Sequence, residues 1–174
     1  TIKDSAFWDC YRLKKINVPT SLRTIGASAF MGTEIDSFSL KRVKKIGNMC
    51  FSGSKIKEVY LSKDCRTSSL VFWGSDDLKK VTLQEGVKKI SYGMFCDTAL
   101  KTIDIPGSVS QIGEDAFADC KKLQKVTLNE GVKKIGKDAF SCTTLEEITI
   151  PSTVTKLGKN AFRRESMQKS SLKK

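Results

Sequence analysis

The sequence predicts a β-rich α/β solenoid, an arc of about seven rungs of 21–23 residues stacked along a parallel concave sheet. Three observations predict it. Eight of the nine phenylalanines, at 7, 30, 51, 72, 95, 117, 140 and 162, recur every 21–23 residues, and only Phe38 stands outside the series. Between them runs one template: four or five residues, then L/I-x-x-I/V-x-L/I, a short gap, and V-x-x-I-x-x-x-x-F. A longer period lies on top, because KVTLQEGVKKI at 80–90 and KVTLNEGVKKI at 125–135 lie 45 residues apart and match at ten of eleven positions. Periods of this size mark stacked units, each unable to bury its apolar face alone.

Each template position has a physical reading. The alternation Ile103-x-Ile105 or Val126-x-Leu128 puts apolar side chains on one face of a short strand. Pro19, Pro106 and Pro151 all follow such strands, where a missing N–H ends pairing cheaply. Gly26, Gly47, Gly113, Gly136 and Gly158 follow V-x-x-I, a place expected to need positive φ. The x-x-A-F that comes next fits a single helical or 3₁₀ turn that buries the ring. Three residues after each of the first seven of these Phe stand Cys10, Thr33, Ser54, Ser75, Thr98, Cys120 and Thr143, a column of small donors expected to hydrogen-bond the backbone of the tight loop. Cys50 and Cys65 are expected buried, whereas Cys96 and Cys142 fall beside the loop.

Composition narrows the function classes. The 174 residues hold 31 Lys and Arg against 19 Asp and Glu, a net charge of +12, and no histidine. The usual general base and the commonest metal ligand are therefore missing. The six cysteines show no C-x₂₋₄-C spacing, so no zinc site is indicated. A glycine-rich phosphate loop and an acid pair at defined spacing are likewise not found, and no catalytic residue, cofactor or metal is proposed. No run approaches the roughly 18 apolar residues of a membrane helix. No signal peptide is visible; the chain opens on Thr1 in mid-repeat and reads as a piece of something longer.

Leu100-x-x-Ile103-x-Ile105-Pro106, followed by Val109-x-x-Ile112-Gly113-x-x-Ala116-Phe117 and Cys120, resembles the BspA-like, treponemal-type leucine-rich repeat. The likeness spans residues 2–162; residues 1–162 are taken as the solenoid domain and 163–174 as a basic polar tail. The resemblance implies a leucine-rich repeat arc on the order of 35 Å long, set by strand spacing. A right-handed parallel β-helix is the rival architecture. FSLKRVKKIG and LSKDCRTSSLVF depart from the pattern, so irregularity is expected around residues 35–75. The resemblance also implies an extracellular or cell-surface protein that adheres to host or matrix proteins such as fibronectin or fibrinogen, or to other cells.

Two surfaces are candidates. On the concave strands the outward residues are Lys15, Asn17, Ser37, Ser39, Glu58, Tyr60, Lys80, Thr82, Thr102, Asp104, Lys125, Thr127, Glu147 and Thr149. They form a candidate protein-binding face or merely a solvated one. Between the V and the I of successive rungs runs a cation row of Arg23, Lys44, Lys45, Arg66, Lys88, Lys89, Lys133, Lys134 and Lys156. It is either a polyanion site, for glycosaminoglycan or cell-wall polymer, or a solvated back face. Nucleic acid is disfavoured because no aromatics interleave with the row. Trp8 and Trp73 either cover loop backbone or anchor a protein contact. The leading expectation is a non-enzymatic protein-interaction scaffold; the alternatives are a polyanion-binding module and a passive spacer.

Overall fold

The computed structural model describes residues 1–164, so the basic tail lies outside the described residues except for Arg163 and Arg164. The chain winds as a parallel-strand solenoid of about six turns. Its strands, in chain order, are β1 (Thr24–Ile25), β2 (Lys45–Ile46), β3 (Glu58–Leu61), β4 (Arg66–Thr67), β5 (Lys80–Leu83), β6 (Lys89–Ile90), β7 (Thr102–Ile105), β8 (Gln111–Ile112), β9 (Lys125–Leu128), β10 (Lys134–Ile135) and β11 (Lys156–Leu157). The four-residue strands β3, β5, β7 and β9 alternate exposed and buried side chains. That is the period-2 signature of a sheet with one face on the core. The two-residue strands carry the V-x-x-I segments and form two further parallel ladders, β1-β2-β4 and β6-β8-β10-β11.

The Phe turns hold these pieces together, and in a way the sequence pattern did not suggest. Two residues before every one of the eight core phenylalanines, and again two residues after the first seven, φ is positive, between 50° and 69°. An L-residue there breaks an α-helix at once, and among the described residues no helix forms, which corrects the helical part of the α/β expectation. Instead, alternate amides divide their work. Ala118 and Cys120 donate to the carbonyls three residues back, at Asp115 and Phe117. Asp115, Phe117 and Asp119 donate to the next turn, at Lys137, Ala139 and Ser141, over 2.8–3.0 Å. The same three cross-turn bonds recur at every step from Phe7 to Phe162; for the phenylalanine amides alone they measure 2.7–3.0 Å. Three continuous chains of hydrogen-bonded peptides therefore run the length of the molecule.

The rings stack above this backbone. Successive core phenylalanines lie 5.1–5.7 Å apart with interplanar angles of 2–20°. The six inner rings are fully buried, and Phe7 and Phe162 at the two ends are half-buried. The expected donor column is present: Thr33, Thr98 and Thr143 donate to Phe30, Phe95 and Phe140, while Ser75 and Cys120 donate to the phenylalanine carbonyls one turn earlier. Cys10, in the first turn, is exposed.

The glycines after V-x-x-I serve a different purpose from the one expected. None of Gly26, Gly47, Gly113, Gly136 and Gly158 has positive φ. A Cβ on Gly136 would lie within 2.4–2.7 Å of Gly113 and Glu114 backbone atoms, and one on Gly158 would meet Gly136 and Lys137 in the same way. Close approach of one turn to the previous one, not turn conformation, is what excludes a side chain.

A two-step alternation explains the 45-residue period. β5 pairs with β3 and β9 with β7 through regular parallel ladders, but no ladder joins β5 to β7. There the link is a side chain: the Gly86 amide donates to Ser108 Oγ at 2.8 Å. One unit later the Gly131 amide donates to Thr153 Oγ1 at 2.9 Å, and the Glu130 carboxylate accepts from the Ser152 and Thr153 amides. Backbone joints and hydroxyl joints thus alternate.

Of the rungs expected, only four carry the four-residue strand. Residues 15–18, 37–40 and 147–150 follow the path without ladder bonds. At 37–40 a reason is visible: Phe38 stands where other turns place Val or Ile, its ring 5.1 and 5.2 Å from those of Phe30 and Phe51. The irregularity expected around 35–75 is also seen at β4. Thr67 takes the Ile position, the two short-strand ladders part between β4 and β6, and Ser91 donates its hydroxyl to the Thr67 carbonyl, which in other turns receives an amide. Cys65, expected buried, is only half-buried in this shortened segment.

Two stability outcomes follow. Phe117→Ala, at the centre of the ring stack, is expected to cost roughly 3–5 kcal/mol in denaturant unfolding. Gly136→Ala should cost about 1–3 kcal/mol, as overpacking against rigid backbone does, and a value near zero would show that the turns can separate freely.

Candidate functional site

The outward positions of the long strands are all exposed: Glu58 and Tyr60 on β3, Lys80 and Thr82 on β5, Thr102 and Asp104 on β7, Lys125 and Thr127 on β9. Register sets their neighbours. Glu58 faces Lys80 and Tyr60 faces Thr82 across one joint, while Thr102 faces Lys125 and Asp104 faces Thr127 across the other. Lys80 Nζ lies 3.7 Å from Glu58, and Asn129 Nδ2 donates to Asp104 at 2.8 Å. Lys15, Asn17, Ser37, Ser39, Glu147 and Thr149 are exposed too, but on the unpaired segments.

The face is not uniform. Where Phe38 prevents pairing, a trough of about 1150 Å³ opens, lined by Lys15, Asn17, Asp36, Phe38, Tyr60 and Thr82 among others. An ion pair of Lys57 with Asp36 at 3.0 Å stands on its rim, and the Lys57 ammonium holds the Asp36 carboxyl below its usual range. Both side chains are largely exposed, so the pair fixes geometry more than it stabilises. Tyr60 adds an exposed phenol to the same hollow. Sequence inspection had no means of locating the trough; the signal was Phe38, the one phenylalanine out of period.

The cation row lies on the short-strand ladders, with Lys45 paired to Arg66, and with Lys89, Gln111, Lys134 and Lys156 in one column. Lys44 is neutralised by Asp64 at 2.8 Å and depresses that carboxyl. Arg23 turns its guanidinium onto the Thr20 and Leu22 carbonyls. Trp8 and Trp73 are both substantially exposed, at 55% and 41%.

Chemically reactive groupings are not assembled. Among the described residues no three His, Cys, Asp or Glu side chains come together as a metal site, and no helix is long and apolar enough to cross a membrane. All six cysteines are free. Burial pushes the Cys65 and Cys120 thiols up to about 11 and the Cys96 thiol to about 12, and it raises the fully buried Cys50 as well. At neutral pH these four are thiols, not nucleophilic thiolates.

A parallel solenoid with one stacked phenylalanine per turn defines a leucine-rich repeat protein, a class of generally non-enzymatic scaffolds. The family model for the BspA type leucine rich repeat region matches residues 1–70 and 68–169 in six copies, and the chain belongs to that family. A leucine-rich repeat protein from Bacteroides ovatus superposes with a TM-score of 0.86 at 29% identity, over 91% of this chain and 43% of that one. This chain thus spans less than half the length of that relative. The Treponema pallidum leucine-rich repeat protein gives a TM-score of 0.67 at 24% identity, covering 84% of this chain and 71% of its own. A leucine rich cell surface protein of Faecalibacterium prausnitzii gives 0.58 at 23%, covering 92% and 61%. No curated protein matches the chain.

The raised thiols give a pH signature. The folded chain holds these protons more tightly than the unfolded chain, whose thiols titrate near the usual 9.0. Their stabilising contribution is complete below that value and declines as pH rises toward 11. Thermal unfolding across that window should show a falling Tm, and Cys65→Ser combined with Cys120→Ser should make the fall shallower.

Proposed function

We propose that this chain is a non-enzymatic scaffold for protein–protein interaction, an adhesin-like module of a secreted or surface-displayed protein, and that its long-strand face binds the partner. The observation that carries the proposal is the continuity of that face. Exposed polar side chains on four strands, each standing between buried apolar neighbours, run into the trough beside Phe38 and Tyr60. A rigid surface of this kind presents contacts without an ordering cost, and an aromatic set among charges is the usual composition of a binding hot spot. Solenoids of stacked repeats commonly engage partners on extended surfaces of this type.

The contact residues assigned by the proposal are Lys15, Asn17, Glu58, Tyr60, Lys80, Thr82, Asp104, Lys125, Thr127 and Glu147. Mixed charge along this row favours a partner recognised by complementary polar contacts over a purely apolar one. A cell-surface setting belongs to the proposal as well; it is the setting named for the Faecalibacterium prausnitzii structure, whose likeness is one of fold.

Surface-immobilised fibronectin and fibrinogen serve as probes. The chain should bind at least one of them, and Tyr60→Ala combined with Lys15→Ala should weaken that binding by about tenfold or more, as loss of a hot-spot anchor does. Variants that leave the affinity unchanged would remove this face from consideration.

A further inference from the structure

The short-strand ladder β6-β8-β10-β11 carries a surface unlike the rest of the molecule. Lys88, Lys89, Lys133, Lys134 and Lys156 are exposed on it, and among the described residues none of their ammonium groups has a carboxylate partner. Register places Lys134 directly beside Lys156, a like-charge contact that opposes stacking. The other ladder differs in part: Lys44 is neutralised by Asp64 and Arg23 is spent on backbone carbonyls, which leaves Lys45 beside Arg66 as its open cations.

The cations do not form an unbroken line. Gln111 stands between Lys89 and Lys134 in one column, and Ser110 lies between the turns of Lys88 and Lys133 in the next. The Ser110 and Thr155 hydroxyls donate to the Lys88 and Lys133 carbonyls, which leaves their oxygens outward as acceptors. Lys89 and Lys134 are two strand spacings apart, roughly 10 Å. An extended surface in which neutral hydrogen-bonding groups separate the charges at every step but Lys134–Lys156 suits a polymer that carries both kinds of group along its length. Aromatic side chains for base stacking are not part of the two columns.

We propose that this ladder is a binding site for a linear acidic polysaccharide: Lys88, Lys89, Lys133, Lys134 and Lys156 hold its anionic groups, and Gln111, Ser110 and Thr155 hydrogen-bond its hydroxyls. The site is separate from the long-strand face, so the two stand or fall independently.

The test is titration of the chain with a heparin-derived decasaccharide over a range of salt, with linear polyphosphate as a polyanion that has no hydroxyls along its chain. Heparin affinity should fall as salt rises, and K88Q/K89Q/K133Q/K134Q should lower it by about tenfold or more at low salt while making the salt slope shallower. K44Q/K45Q should change it by less than about threefold, because Asp64 already neutralises Lys44 and only Lys45 is lost as a free cation. Gln111→Ala should weaken heparin binding and leave polyphosphate binding unchanged, and Tyr60→Ala should affect neither. Equal loss from K44Q/K45Q, insensitivity to the four-lysine change, or a Gln111→Ala effect that is the same for both polymers would overturn the proposal.

Discussion

Everything in this molecule depends on the amide that each phenylalanine donates to the next turn. It is one of three cross-turn bonds per Phe turn, and the set is unbroken from Phe7 to Phe162 even where strand pairing fails. The long strands lose their ladder at 37–40, between β5 and β7, and after β9, and the short ones part between β4 and β6. Only the Phe turn keeps its register throughout. It fixes the axial spacing at which the rings stack, and the buried rings in turn keep water away from those bonds.

That constraint accounts for residues that otherwise look interchangeable. Ser5, Ser28, Asp115, Asp138 and Asn160 stand two residues before a core Phe, and Gly93 does the same. All have short side chains, and Asn, Asp and Gly are the residues that enter the left-handed region most readily. Met49 and Leu70 occupy the same position in the irregular turns, held at φ of 53° and 57° by the bonds on either side. Such conformations persist where the surroundings over-determine them. The glycine column answers to the same spacing, since turns drawn together by the amide chains leave no room for a Cβ between them.

Much of the fold was legible in the sequence because it depends on which residues are apolar and at what interval. The period, the ring stack, the donor column of Thr33, Ser75, Thr98 and Cys120, and the parallel strands all follow from side-chain periodicity. What was not legible depends on backbone direction. "EDAF" and "KDAF" satisfy helix and left-handed turn equally well by composition; the discriminating signal was the Asp, Asn, Ser or Gly two places before Phe, repeated in six of eight turns. The glycine role was misjudged for a related reason, because close approach and positive φ select the same residue. The residues of both candidate rows are exposed, as strand alternation implies, but the trough at Phe38, the neutralised Lys44 and the open ladder at Lys134 and Lys156 depend on inter-turn distances that no single rung encodes. The alternation of Gly86–Ser108 and Gly131–Thr153 joints supplies the cause of the 45-residue period, which by itself suggested only duplication.

The three peptide chains through the Phe turns have one more property. In each linking peptide unit the carbonyl points to the preceding turn and the N–H to the following one, so these units add head to tail, as they do in a helix. Strand ladders lack this, because their peptides alternate in direction and largely cancel. The column of turns therefore contributes a dipole along the solenoid axis, directed with its positive side toward Phe162 and its negative side toward Phe7. An α-helix builds that field from residues in sequence; this molecule builds it from residues some twenty-two apart, and so gains the electrostatics of a helix with none among its described residues.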